Sequence, residues 1–145
     1  MNNILFIITG SIAASRCKEI ITLLRKKEVK ISCILTKEAK KYIKISDIKK
    51  LLKNRIFTDE DEKKNKMLHI NLSRDNDMIV VCPATANSIA KFANGYGDNL
   101  SSNTLLASNK KILFVPAMNS FMWHNKINQK NVRLLKDSGH EFIGP

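Results

Sequence analysis

The stretch Ile4-Leu5-Phe6-Ile7-Ile8-Thr9-Gly10-Ser11 decides the fold. Five consecutive apolar side chains leave no polar face, so a strand built from them is buried on both sides, and Thr9-Gly10-Ser11 breaks it with a turn. From Ile12 to Lys27, apolar Ile20, Ile21, Leu23 and Leu24 share the chain with Arg16, Lys18, Glu19 and Arg25, the pattern of an amphipathic helix. Val29 to Leu35 then alternates, placing Val29, Ile31, Cys33 and Leu35 on one side of a second strand.

The same grammar returns later in the chain. Met78 to Cys82 reads as a strand, Ala84 to Asn94 as a helix, a further helix lies near Ser101 to Ala107, and Ile112 to Val115 is again a strand. A last helix, Lys126 to Asp137, is closed by Ser138-Gly139, with Gly139 suited to a left-handed cap, before a short strand from Glu141 to Ile143. Strands alternating with helices predict an α/β domain with a parallel sheet covered on both faces. Ligands in such sheets sit beyond the carboxyl ends of the strands. Those ends carry Thr9-Gly10-Ser11, Thr36, Pro83-Ala84-Thr85-Ala86-Asn87 and Pro116-Ala117-Met118-Asn119, four loops expected to converge on one crevice. Leu51 to Lys66, with its run Asp59-Glu60-Asp61-Glu62-Lys63-Lys64, is expected to be a loop or a mobile excursion.

At 145 residues the chain fits one compact domain, 1–145. Its net charge of +12 would attract anions. The lysines, however, are scattered in pairs such as Lys26-Lys27, Lys49-Lys50 and Lys110-Lys111, with no arginine stripe and no interleaved aromatic platform, which argues against nucleic acid as a partner. Cys17, Cys33 and Cys82 match no chelating pair, and their odd number fits reduced thiols and a cytoplasmic home. No His/Cys/carboxylate spacing points to a metal. The apolar run before Ala13-Ala14-Ser15 lacks the positive n-region of a secretory signal, and nothing approaches membrane-spanning length.

Several segments carry possible chemistry. Gly10-Ser11, where a strand hands over to a helix, can hold an anion such as phosphate on backbone NH groups, or be a plain turn with Ser11 as cap. Thr36 is either a cap for a helix beginning at Lys37 or a polar ligand contact. The small residues of Ala84-Thr85-Ala86-Asn87 would let a flat ring approach the backbone. In the segment Pro116 to Trp123, Asn119 offers a carboxamide that could hold a carboxylate, while Met122 and Trp123 fit a core equally well. His69, in Leu68-His69-Ile70-Asn71-Leu72, is by residue type alone either structural or catalytic.

Taken together, Gly10-Ser11-Ile12-Ala13-Ala14, His69-Ile70-Asn71-Leu72, Pro83-Ala84-Thr85-Ala86-Asn87 with Lys91 and Gly95 to Leu100, and Pro116-Ala117-Met118-Asn119 running to Met122-Trp123 resemble the homo-oligomeric flavin-containing cysteine decarboxylases. The blocks stand in family order and cover nearly the whole chain. The resemblance implies a Rossmann-like (flavodoxin-like) three-layer sandwich, bound FMN, and homotrimers with flavin sites at subunit contacts. It also implies that Gly10, Ser11, Ile12, Thr36, Ala84, Thr85, Ala86 and Asn87 bind FMN, that His69 is the active-site histidine, and that Asn119 holds the substrate carboxylate beside Met122.

The likeness is strongest to the branch that converts 4'-phosphopantothenoylcysteine to 4'-phosphopantetheine in coenzyme A biosynthesis. Peptidyl-cysteine decarboxylases and non-catalytic FMN-binding regulatory subunits are the alternatives. In such enzymes flavin oxidation of the CH2-SH group to a thioaldehyde creates the electron sink that lets CO2 leave. A cysteine-bearing flap follows, in the coenzyme A branch, the position reached here at Gly144-Pro145. None of Cys17, Cys33 and Cys82 stands at its place, so the residues present are expected to serve the oxidative half of the reaction.

Overall fold

The computed structural model describes residues 2–144. Strand β1 (Asn3–Ile8) leads through a 3-10 turn (Ile12–Arg16) into α1 (Cys17–Arg25) and β2 (Lys30–Leu35). A 3-10 turn at Ala39–Lys41, α2 (Ile45–Leu52), β3 (Ile56–Phe57), α3 (Asp59–Lys64) and α4 (Leu68–Asp75) follow. The second half comprises β4 (Met78–Ala84), α5 (Ala86–Ala93), α6 (Leu100–Ala107), β5 (Ile112–Pro116), α7 (Ser120–His124), α8 (Lys126–Asp137) and β6 (Glu141–Phe142).

All strand pairs are parallel, in the order β3-β2-β1-β4-β5-β6. This is the α/β architecture with a parallel sheet that the alternation of strands and helices predicted, and the Rossmann-like, flavodoxin-like sandwich that the resemblance implied. One-residue alternation sorts each strand between two cores. Leu5, Ile7, Ile79, Val81, Ile112 and Phe114 face the side covered by α4, α5, α6 and α8, through Leu72, Ile89, Leu105 and Val132 among others. Phe6, Ile8, Ile31, Cys33, Leu35 and Val80 face the other side, under Ala14, Cys17 and Ile21 of the first turn and α1 and Ile48 and Leu52 of α2. Each fully buried Leu, Ile or Phe contributes about 1.5–3 kcal/mol relative to exposure, so β1, apolar on both faces, anchors both cores at once.

Three local results differ from the sequence reading. The helix expected from Ile12 to Lys27 is divided: Ser11 accepts the Ala13 N–H through its hydroxyl (3.2 Å) and the chain turns as a 3-10 helix before α1 begins at Cys17. The acidic segment expected as a loop is ordered as β3 and α3. Asp61 accepts the Thr58 N–H (2.8 Å), four acidic residues occupy the first turn of α3 and Lys63-Lys64 the last, so the charges complement the helix dipole. Asp59 further accepts the N–H of Leu100 (3.0 Å), docking α3 on the start of α6. The segment around His69, left without an element by the sequence, is helix α4, whose final carbonyls at Ser73 and Asn76 are capped by Lys110 Nζ at 3.2 and 2.7 Å.

Two of the three buried thiols are shifted away from the reactive thiolate form. Cys17 donates to the Cys82 carbonyl (3.2 Å); the contact with Cys82 and burial push the Cys17 thiol far above its ordinary range, and burial does the same to Cys33.

Gly139 takes the left-handed conformation (φ 99°) foreseen for it, and His140 follows into the core. Its Nδ1 accepts the Ile112 N–H (3.1 Å), and its ring packs on Phe92 and Phe114. Burial lowers the His140 pKa from its ordinary 6.5. The folded state therefore binds its proton less readily than the unfolded chain, and stability is lost as pH falls below the unfolded value. Urea denaturation at successive pH values should show the midpoint dropping from about pH 7 to about pH 5, with a shallower drop in His140→Asn.

Candidate functional site

The strand order reverses between β1 and β4, and there a cavity opens, at the carboxyl ends of the strands as the fold requires. Thr9 ties these two ends together. Its buried hydroxyl donates to the Pro83 carbonyl and accepts the Thr85 N–H (3.3 Å). The cavity is about 260 Å3, smaller than the roughly 300–1,000 Å3 usual for small-molecule sites, so a cofactor-sized ligand would extend beyond it.

Its walls come from three of the four predicted loops and from α6. Gly10 and Thr36 line one side. A Cβ on Gly10 would lie 2.4 Å from Cβ of Glu38, so the absent side chain is what lets the loop after β2 close over the loop after β1. The Thr36 hydroxyl accepts the Ala39 N–H (3.2 Å), at the 3-10 turn Ala39–Lys41 that stands where a helix from Lys37 was expected, and the residue lines the cavity. Opposite, Thr85 caps α5 by accepting the Ser88 N–H (3.1 Å), and Thr85, Asn87 and Ser88 all line the cavity. Ser11 and Ile12 stand beside this wall without lining it, Ile12 largely exposed; Ala84 is buried in the core and Ala86 is half-buried at the start of α5.

The sequence reading missed the contribution of α6. Asn99 accepts the Ser102 N–H (2.9 Å), a reciprocal cap that starts α6, and Asn99, Ser101 and Ser102 line the cavity. The available signal was Asn99 followed three residues later by a hydroxyl. Ile7, Val81, Phe92 and Leu105 supply the apolar lining. Lys91 reaches Asp98 at 3.0 Å, and that hydrogen bond holds the Asp98 carboxyl below the usual range.

His69 and Asn119 lie outside this cavity within one chain. His69 projects from α4, its Nδ1 3.1 Å from Glu62 Oε2. Asn119 is exposed at the start of α7, where its Oδ1 accepts the Met122 N–H (2.9 Å); Met122 is exposed beside it, and Trp123 packs against the core. The fourth loop thus lines no part of the cavity, although the Ala117 N–H donates to the Ala84 carbonyl (3.1 Å) and ties it to the third. Its sequence showed a carboxamide and soft side chains, but not the direction in which they face.

The arrangement fits a planar ligand with polar edges and an anionic tail. Aliphatic and aromatic groups suit ring faces, the Ser and Asn side chains suit carbonyl and N–H edges, and the N-termini of α5 and α6 favour negative charge. Fold and site together define an α/β protein with a ligand cleft at the switch point of a parallel sheet. The family model described as Flavoprotein matches residues 1–145, and the chain belongs to that family.

Among its relatives, a probable phosphopantothenoylcysteine decarboxylase of Streptococcus mutans is 32% identical over 98% of this chain and 82% of its own length. The coenzyme A biosynthesis bifunctional protein CoaBC of Haemophilus influenzae is 36% identical over 95% of this chain, which spans 35% of that relative's length. The solved FMN-dependent cysteine decarboxylase SpaF superposes with a TM-score of 0.91 at 29% identity, over 97% of this chain and 82% of that one. The peptidyl-cysteine decarboxylase EpiD superposes at 0.86 with 33% identity, over 99% of this chain and 85% of that one. Among the described residues no helix is long and apolar enough to cross a membrane.

Gly10→Ala should push Glu38 and the loop after β2 outward at a cost of about 1–3 kcal/mol, the usual penalty of overpacking. Chemical denaturation of the variant against the unaltered protein checks this.

Proposed function

We propose that this chain is an FMN-dependent decarboxylase acting on 4'-phosphopantothenoylcysteine, with the reacting group held between the switch-point cavity and residues on α4 and α7. The supporting observation is the cavity between Gly10, Thr36, Thr85 and the start of α6 in a chain that matches a probable phosphopantothenoylcysteine decarboxylase over most of both lengths. When bound, FMN supplies the two-electron oxidant for the thiol-bearing carbon of the substrate.

The chain's own residues do the positioning. Gly10, Thr36, Thr85, Asn87, Ser101 and Ser102 hold the cofactor, with Ser11, Ile12, Ala84 and Ala86 shaping the loops around it. Ile7, Val81, Phe92 and Leu105 keep water from the apolar side of the cleft. With its Oδ1 taken by the Met122 N–H, the remaining hydrogen-bonding group of Asn119 is its NH2, a donor suited to a carboxylate. Met122 packs beside that carboxylate. His69 holds or moves a proton at its ring. The working form is a homotrimer, in which a neighbouring copy brings His69 and Asn119 to the cavity. Phe121 is 90% and Ile12 78% exposed in the single chain, apolar surface of the kind that subunit contacts cover.

A second reading, decarboxylation of a peptide ending in cysteine, is favoured by the likeness to EpiD. The purified protein should retain flavin absorbance through gel filtration at the mass of a trimer. Incubated separately with phosphopantothenoylcysteine and with a cysteine-terminated peptide, it should release CO2 from the first. CO2 from the peptide alone would establish the second reading, and a colourless protein that takes up no FMN would overturn both. His69→Asn should keep FMN and lose decarboxylation by about a hundredfold or more, the scale of a general acid or base.

A further inference from the structure

Helix α3 makes no contact with the cavity, yet its acidic side chains reach the two helices on which the site depends. Asp59 is fixed to the start of α6, and one oxygen of Glu62, Oε1, accepts a hydrogen bond from Nδ2 of Asn103 on the same helix (3.2 Å). The other oxygen, Oε2, lies 3.1 Å from Nδ1 of His69. Both Oε2 and Nδ1 are sealed from solvent, and neither makes a hydrogen bond of regular geometry, to the other or to any further group, so the 3.1 Å approach leaves the two atoms facing each other. A carboxylate oxygen can only accept, and a sealed acceptor left unmatched is destabilising. The arrangement is satisfied when Nδ1 carries the hydrogen.

We infer that Glu62 is a positioning residue: held by Asn103, it fixes His69 as the Nδ1–H tautomer with the ring oriented so that Nε2 is the atom offered to the substrate. This rests on the reading of His69 as the histidine that handles the proton. An imidazole whose far nitrogen is pinned by a carboxylate has one defined tautomer and one defined face, which a proton-handling group needs. α3 thereby becomes a structural strut of the site, joining α4, which carries His69, to α6, which lines the cavity.

Glu62→Gln makes a sharp test. With Asn103 still donating to the side-chain oxygen, the new NH2 is turned toward His69 and favours Nδ1 as acceptor, which inverts the tautomer. FMN-loaded protein labelled with 15N-histidine reports the tautomer directly, with the His69→Asn spectrum assigning the signal. The expected result is Nδ1–H in the unaltered protein and a shift to Nε2–H in Glu62→Gln. Turnover in that variant should fall about 10- to 100-fold, within what a general acid or base contributes, with KM changed less than about twofold and FMN retained. Glu60→Gln, whose carboxylate is exposed and pairs with Lys40, should leave turnover and spectrum unchanged.

An Nε2–H signal in the unaltered protein overturns the inference, and this measurement stands even if Glu62→Gln fails to fold. An identical tautomer in both proteins, or turnover within twofold, also overturns it. Full activity of His69→Asn would instead sink the reading of His69 as the proton-handling group, while the tautomer result reports on Glu62 independently.

Discussion

The hydroxyl of Thr9 is the constraint on which the site depends. Donating to the Pro83 carbonyl and accepting the Thr85 N–H, it binds the carboxyl ends of the two strands between which the sheet reverses its order. A parallel sheet opens a crevice at that point because the connections leave toward opposite faces. The β1–β4 pairing ends at Ile7 and Val81, short of the crevice. Beyond that point the buried Thr9 hydroxyl carries the link onward and holds Gly10 near the cap of α5. Because both groups it satisfies lie near the core, losing the link would leave polar atoms unmatched as well as the mouth unfixed.

What the sequence made legible follows from how each element is stabilised. β1, β4 and β5 carry runs of apolar residues because both faces of the sheet are covered, and such runs can be read without a partner. α8 could be read to the residue, because Asn125 caps it and Gly139 stops it. β3 could not, since two residues form a strand only through pairing with β2. α3 could not either, as it has no apolar face; it is ordered by charge placement and by docking through Asp59 and Glu62, neither of which has a sequence period.

The site was legible in its loops and obscure in its helices. Gly10, Thr36, Thr85 and Asn87 stand at strand ends, and strand ends are where such folds bind. Ser101 and Ser102 belong to α6, a helix buried at Leu100, Ser101, Ser102, Thr104 and Leu105 with no polar stripe to mark its direction, so the Asn99–Ser102 cap marked where the helix starts but nothing marked which way its hydroxyls face. Glu62 lies seven positions before His69 across a turn between two helices, a spacing that no local rule relates. Asn119 and His69 could be recognised by the segments around them, but their separation from the cavity within one chain is a property of three dimensions only.

Gly10 differs from the glycines that are kept for their backbone angles. It is confined by its neighbour, since the space a side chain would take is already filled by the Cβ of Glu38. Positions 10 and 38 therefore share one allotment of volume. A side chain added at the first requires the second to give up its own or its loop to move, although 28 positions separate them in the chain.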